Sequence, residues 1–173
     1  MKKFLLILFV ASTLVFINFC GDKKADKPAE DKQAEKEVEG KAEKKAEVKP
    51  EGEPDRITVQ HLLIAFKGTI PGEKVTRSQE EAKTLAYELL EKVKDGADFD
   101  VLVKEYTDDS HPGIYSMSNF GVEPKKEPRE FPRAGMVKAF GNVGFPLGVG
   151  EVGIADYDLG TSKYGWHIIK RIK

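Results

Sequence analysis

The chain has 173 residues, 28 of them basic and 29 acidic, with three histidines and a single cysteine. So even a balance gives no basic stripe for a nucleic-acid backbone, and a lone cysteine excludes an internal disulfide. The length suits one domain, yet the composition falls into three zones, which makes the usable core smaller than the length suggests.

The first zone is residues 1–20. Lys2 and Lys3 precede an apolar run from Phe4 to Phe19 that ends at Cys20, the order of a charged region, an apolar region and a processing point in a signal peptide. The run is 16 residues long, short of the ~20 a bilayer-spanning helix needs, so a removable signal fits better than an uncleaved membrane anchor. Cys20 is then idle, intermolecular or modified. Its place directly behind the apolar run resembles the lipid-attachment cysteine of bacterial lipoproteins. Ile17 fits that pattern, while Phe19 stands where a small residue is usual. The resemblance implies export and a membrane anchor at the cell envelope through lipidated Cys20.

Residues 21–55 are almost entirely Lys, Glu, Asp, Ala and Pro, with nine lysines against twelve acidic residues and only Val38 and Val48 as larger apolar side chains. Nothing there offsets the entropy of ordering, so this zone is expected to be a tether. Fully extended, it would reach about 120 Å.

The folded domain is expected over residues 56–173, with 17 basic and 17 acidic side chains and all three histidines. Ile57 to Ile64 alternates in part and is rich in β-branched residues, which predicts a strand, broken by Gly68 and Pro71-Gly72. Ser78-Gln79-Glu80-Glu81 is a capping box. Behind it Ala82, Leu85, Ala86, Leu89, Leu90 and Val93 fall on one helical face, and Gly96 ends the helix. Asp98 can cap a shorter helix that turns Phe99, Leu102, Val103 and Tyr106 inward. A polar loop region follows, then a short helix around Met136 to Phe140 and strands near Val152 to Tyr157 and Trp166 to Ile172. Strands at both ends with helices between predict an α+β fold: a small antiparallel or mixed sheet surrounded by helices.

Several chemistries drop out. Gly148-Val149-Gly150-Glu151-Val152-Gly153 has the letters of a dinucleotide loop, but no βαβ unit follows it. Three histidines without clustered cysteines or carboxylates give no zinc site, and no Gly-x-Ser-x-Gly elbow presents a nucleophile. Neither metal nor cofactor is expected. What remains is a pair of histidines in apolar strands, His61 in Val59-Gln60-His61-Leu62-Leu63-Ile64 and His167 in Trp166-His167-Ile168-Ile169. Buried imidazoles need hydrogen-bond partners, and each ring is the simplest candidate for the other.

In this order the residues resemble the parvulin-type peptidyl-prolyl cis–trans isomerases, from about Thr58 to Arg171. His61-Leu62-Leu63-Ile64 is similar to the family's first-histidine strand and Tyr106-Thr107-Asp108-Asp109 to the segment ending in an active-site cysteine or aspartate. Gly135 to Phe140, Phe145-Pro146-Leu147 and Gly150-Glu151 resemble the proline-pocket helix and the turn after it, and Ser162 to Ile169 the closing strand. The resemblance implies paired histidines at His61 and His167, Asp109 beside the rotating bond, and Ser162 as a hydroxyl orienting one ring. It places Phe120, Met136 and Phe140 around the proline. The partners it implies are proline-containing segments of unfolded or exported proteins. Three departures stand out: Met117-Ser118-Asn119 replaces a glycine-rich stretch, the loop from Val122 to Ala134 is longer than usual, and Lys67, Lys74 and Arg77 are too dispersed for phosphate recognition. A non-catalytic chaperone using the same groove is the rival reading; it predicts suppressed aggregation without faster isomerisation.

Overall fold

The computed structural model describes residues 47–72 and 74–173. The expected signal segment, Cys20 and the tether up to residue 46 lie outside the described residues. Among those described, no helix is long and apolar enough to cross a membrane.

Among the described residues, five strands and three helices follow in the order β1 (Arg56–Ile64), α1 (Gln79–Lys94), α2 (Phe99–Tyr106), β2 (Ile114–Ser118), β3 (Phe131–Pro132), α3 (Lys138–Gly144), β4 (Val152–Ala155) and β5 (Trp166–Arg171), with a 3₁₀ turn at Arg133–Gly135 before α3. The sheet runs β3-β2-β1-β5-β4. The β2–β3 pair is parallel and the other pairs are antiparallel, so the expected mixed sheet in an α+β fold is what forms.

β1 lies at the centre because both its faces are apolar. Leu62 and Ile64 join Trp166 and Ile168 of β5 in a core under α1 and α2, to which Ala82, Ala86, Leu89, Leu90, Phe99, Leu102 and Val103 contribute. Ile57 and Val59 point the other way, into a second core with Met117, Ile169, Phe140 and Phe145. Strand alternation therefore places His61 on the α3 side of the sheet.

Both predicted caps form. The Glu81 amide donates to the Ser78 hydroxyl while the Ser78 amide donates to the Glu81 carboxylate, and Asp98 accepts from the amides of Asp100 and Val101. Ser78→Ala is expected to lower unfolding stability by about 1 kcal/mol, read as a shift of the urea midpoint at constant slope.

Three expectations need correction. The stretch read as loop contains β2 and β3; Ile114-Tyr115-Ser116-Met117-Ser118 pairs with Arg56 to Gln60, and its period-2 pattern was masked by three polar or mixed side chains in five. The pocket helix begins at Lys138, not Met136, whose backbone is extended at φ −89° and ψ 166°. The tether ends before Asp55, because the Asn119 amide donates to the Asp55 carbonyl (2.8 Å) and its side chain to the Pro54 carbonyl (2.9 Å). Composition could not reveal this, since docking there uses polar groups that also suit a solvated linker.

Candidate active site

Antiparallel register brings the two histidines together. Leu63 stands opposite His167, and His61, two residues from Leu63 on the same face, is the diagonal neighbour of His167. Their Nδ1 atoms lie 3.3 Å apart, with ring centroids at 5.5 Å and planes 22° from parallel. Both side chains are buried.

The loop after α2 carries Asp109 to this pair. Asp108 anchors it: its carboxylate accepts from the Ala65 amide at 2.8 Å and pairs with Arg77, while its own amide donates to the Leu63 carbonyl at 2.9 Å. Thr107 accepts from the amides of Leu63 and Asp109. Gly113 then lets the chain press onto β1. Its φ is +64°, a Cβ there would sit 2.5 Å from the His61 carbonyl, and the His61 amide donates to the Gly113 carbonyl at 2.9 Å.

So fixed, Asp109 Oδ2 accepts from His61 Nε2 at 3.0 Å and from the Tyr115 hydroxyl at 3.2 Å. The His61 donor, opposed by desolvation, holds the Asp109 carboxyl down to about 2, so it is an anion at neutral pH. Burial, helped by His61 and opposed by Asp109, pushes His167 down to about 3. Burial and the Asp109 charge raise the Tyr115 phenol, which stays a donor.

Proton positions follow from this network. His61 gives Nε2–H to the carboxylate, and in the neutral pair its Nδ1 accepts from His167 Nδ1–H. His167 Nε2 is then a bare lone pair, in keeping with its having no partner among the described residues. A buried lone pair costs less than a buried N–H without an acceptor.

These groups wall a cavity of about 720 Å³ lined also by Met136, Val137, Phe140, Tyr115, Ile70, Val75 and Tyr164. Phe140, 2% exposed, is its floor. The Phe140 ring stands edge-on to His61 (5.1 Å, 77°), His167 (5.6 Å, 90°) and Tyr115 (6.0 Å, 82°). Met136 is half-buried at the rim.

His61, His167, Asp109, Met136 and Phe140 therefore converge. Two residues do not. The Ser162 hydroxyl donates to the Gly165 carbonyl at 2.9 Å, so it closes the turn before β5 and orients neither ring. Phe120 packs on the Arg133 guanidinium at 4.6 Å and lies outside the cavity lining. Tyr115 occupies the wall instead, and only the alternation of β2 could have pointed to it. His111 pairs with Asp100 at the surface (3.0 Å) and is no part of the site.

A family model for the PPIC-type PPIase domain matches residues 41–172. The chain belongs to that family. As a PPIC-type, or parvulin, isomerase it catalyses cis–trans exchange of peptidyl-prolyl bonds. Among solved structures, the parvulin is similar to the solution structure of TbPIN1, at 20% identity and a TM-score of 0.51 over 69% of this chain and 99% of that one. It is similar also to the peptidyl-prolyl isomerase ESS1 from Candida albicans, at 21% identity and a TM-score of 0.50 over 69% of this chain and 63% of that one. These two likenesses bear on the fold. PrsA from Bacillus subtilis matches at 27% identity and a TM-score of 0.43 over 69% of this chain and 35% of PrsA. A search of curated proteins finds no match.

Proposed function

We propose that this isomerase acts on prolyl bonds of unfolded, exported chains at the cell envelope, held there by lipidated Cys20, with residues 1–20 as signal, a charged tether after it, and the cavity over Phe140 as the proline site. The observation that carries the catalytic reading is the convergence of an ionised carboxylate, two facing imidazoles and an apolar floor on one open cavity. The apolar run before Cys20 and the charged segment after it support the anchored location.

The prolyl amide resists rotation by about 18–20 kcal/mol because planarity delocalises the nitrogen lone pair into the carbonyl. No bond to a proton has to break. A thousandfold acceleration needs only about 4 kcal/mol of preferential binding to the rotated amide. Met136 and Phe140 hold the ring while the chain on the carbonyl side turns in the open part of the cavity. Excluding water there disfavours the planar, charge-separated form, which has the larger dipole. The Asp109 anion acts in the same sense by repelling the partial negative charge that planarity places on the carbonyl oxygen. His61 and His167 keep that carboxylate in position.

The decisive measurement is the rate of isomerisation of a proline peptide by the purified chain. Asp109→Ala is expected to lower kcat/KM about a hundredfold, the low end of the loss when one electrostatic group aimed at the reacting bond is removed. A folded Asp109→Ala protein at wild-type rate would remove Asp109 from the mechanism. Suppressed aggregation with no rate enhancement by the wild-type chain would favour a chaperone that only binds.

A further inference from the structure

Arg133 opens the segment that carries Met136 and Phe140, and its side chain is only 5% exposed. The guanidinium lies between the rings of Phe120 (4.6 Å) and Phe145 (4.7 Å). Nη1 donates to Glu53 and to Asn119 Oδ1 (2.9 Å), and Nη2 to Asn142 Oδ1 (3.1 Å) on α3. The Arg133 carbonyl accepts from the Met136 amide at 3.1 Å. Gly141 of α3 packs so closely on the arginine stem that a Cβ there would fall 2.9 Å from its Cγ. Arg133 thus holds the chain on both sides of Phe140, Met136 through its carbonyl and α3 through its stem and guanidinium.

Glu53 comes from the segment that leads into β1, 80 residues away in sequence. Its carboxylate, 12% exposed, also accepts from Asn119 Nδ2 at 3.0 Å. A guanidinium does not shed its proton, so a buried one must be compensated by charge. Among its hydrogen-bond partners, Glu53 is the carboxylate; the others are amides.

We propose that Arg133 is a positioning residue for the prolyl cavity, and that Glu53, by neutralising it, couples the chain entering the domain to how tightly the cavity holds proline. The proposal rests on the isomerase reading of the cavity. Without Glu53 the charge is buried and uncompensated. It gains water by swinging outward, and the segment from Arg133 to Phe145 moves with it. That segment holds only one short α-helix, the seven residues of α3. Helix α1, on the opposite face, has no part in the contact.

The test uses the full chain with Glu53→Gln, Arg133→Lys and Asn142→Ala, read by proline-peptide kinetics and by amide hydrogen exchange. For Glu53→Gln, KM is expected to rise about tenfold, the size of one lost charge-assisted hydrogen bond, with kcat within about twofold of wild type. Exchange should quicken across residues 133–145 and stay unchanged in α1. Arg133→Lys should behave likewise, because an ammonium cannot span Glu53, Asn119 and Asn142 with one planar fork, and Asn142→Ala should show the same pattern more weakly. Wild-type KM and wild-type exchange at 133–145 in Glu53→Gln would overturn the proposal. So would acceleration of exchange in α1 by the same factor, the mark of a global loss of stability. A wild-type chain that fails to isomerise proline peptides would overturn the catalytic reading instead, and the exchange pattern would still decide the clasp.

Discussion

Phe140→Ala is expected to lower kcat/KM for a proline peptide by about a hundredfold, because enclosing an apolar ring in a complementary site contributes roughly 2–3 kcal/mol. The ring that disappears touches both histidines and Tyr115 edge-on and closes the base of the cavity. Two losses follow together: proline has no floor to press on, and water enters beneath the amide, where it favours the planar form. The same substitution leaves a void in the second core, beside Phe145, Met117 and Ile169, at a cost of about 3–5 kcal/mol in stability. Unfolding and loss of grip must therefore be separated. Rates should be normalised to the folded fraction from circular dichroism, and Phe140→Leu should be run beside it, since leucine retains most of the volume but not the flat edge. Full activity per folded molecule in Phe140→Ala would remove the pocket assignment.

How much of this was readable in the sequence depended on the kind of signal each residue carries. The faces of α1 and α2 were legible because periodic apolar residues sat behind strong caps, Ser78 with Glu81 and Asp98. The histidine pair was legible because a polar ring inside an apolar strand demands a partner, and the two strands flank one another. Tyr115 was not, because β2 offers one buried apolar side chain, Met117, beside a buried serine and exposed or half-buried neighbours, so packing on β1 decides its conformation more than its own pattern. Glu53 was not, because a glutamate in a run of lysines and glutamates reads as solvated until Arg133 is seen to lie beneath it. Ser162 shows the converse error. A hydroxyl in a turn bonds whichever acceptor the turn presents, and for Ser162 that is the Gly165 carbonyl and not an imidazole.

The second large effect is on stability against acid. His167 binds a proton near 6.5 when unfolded, but only at about 3 when folded, because burial and His61 outweigh the attraction of Asp109. Between these values the unfolded chain holds more protons than the folded one, so stability rises with pH there. The contribution is fully present above pH 6.5 and is lost as the pH falls towards 3, on the order of 5 kcal/mol over the whole window. Asp109 adds a smaller loss in the same direction, below pH 4, as its carboxyl protonates through about 2; being a third exposed, its share is reduced by solvent. Urea unfolding of the wild-type chain from pH 7 to pH 4 should therefore show a falling midpoint. His167→Phe, which fills the same space without a titrating nitrogen, should lose most of that slope, because every group that does not act on His167 titrates alike in the two proteins. Parallel curves for the two would mean that His167 takes up its proton as readily in the fold as in the unfolded chain, and the arrangement in which His167 donates Nδ1–H to His61 would have to be abandoned.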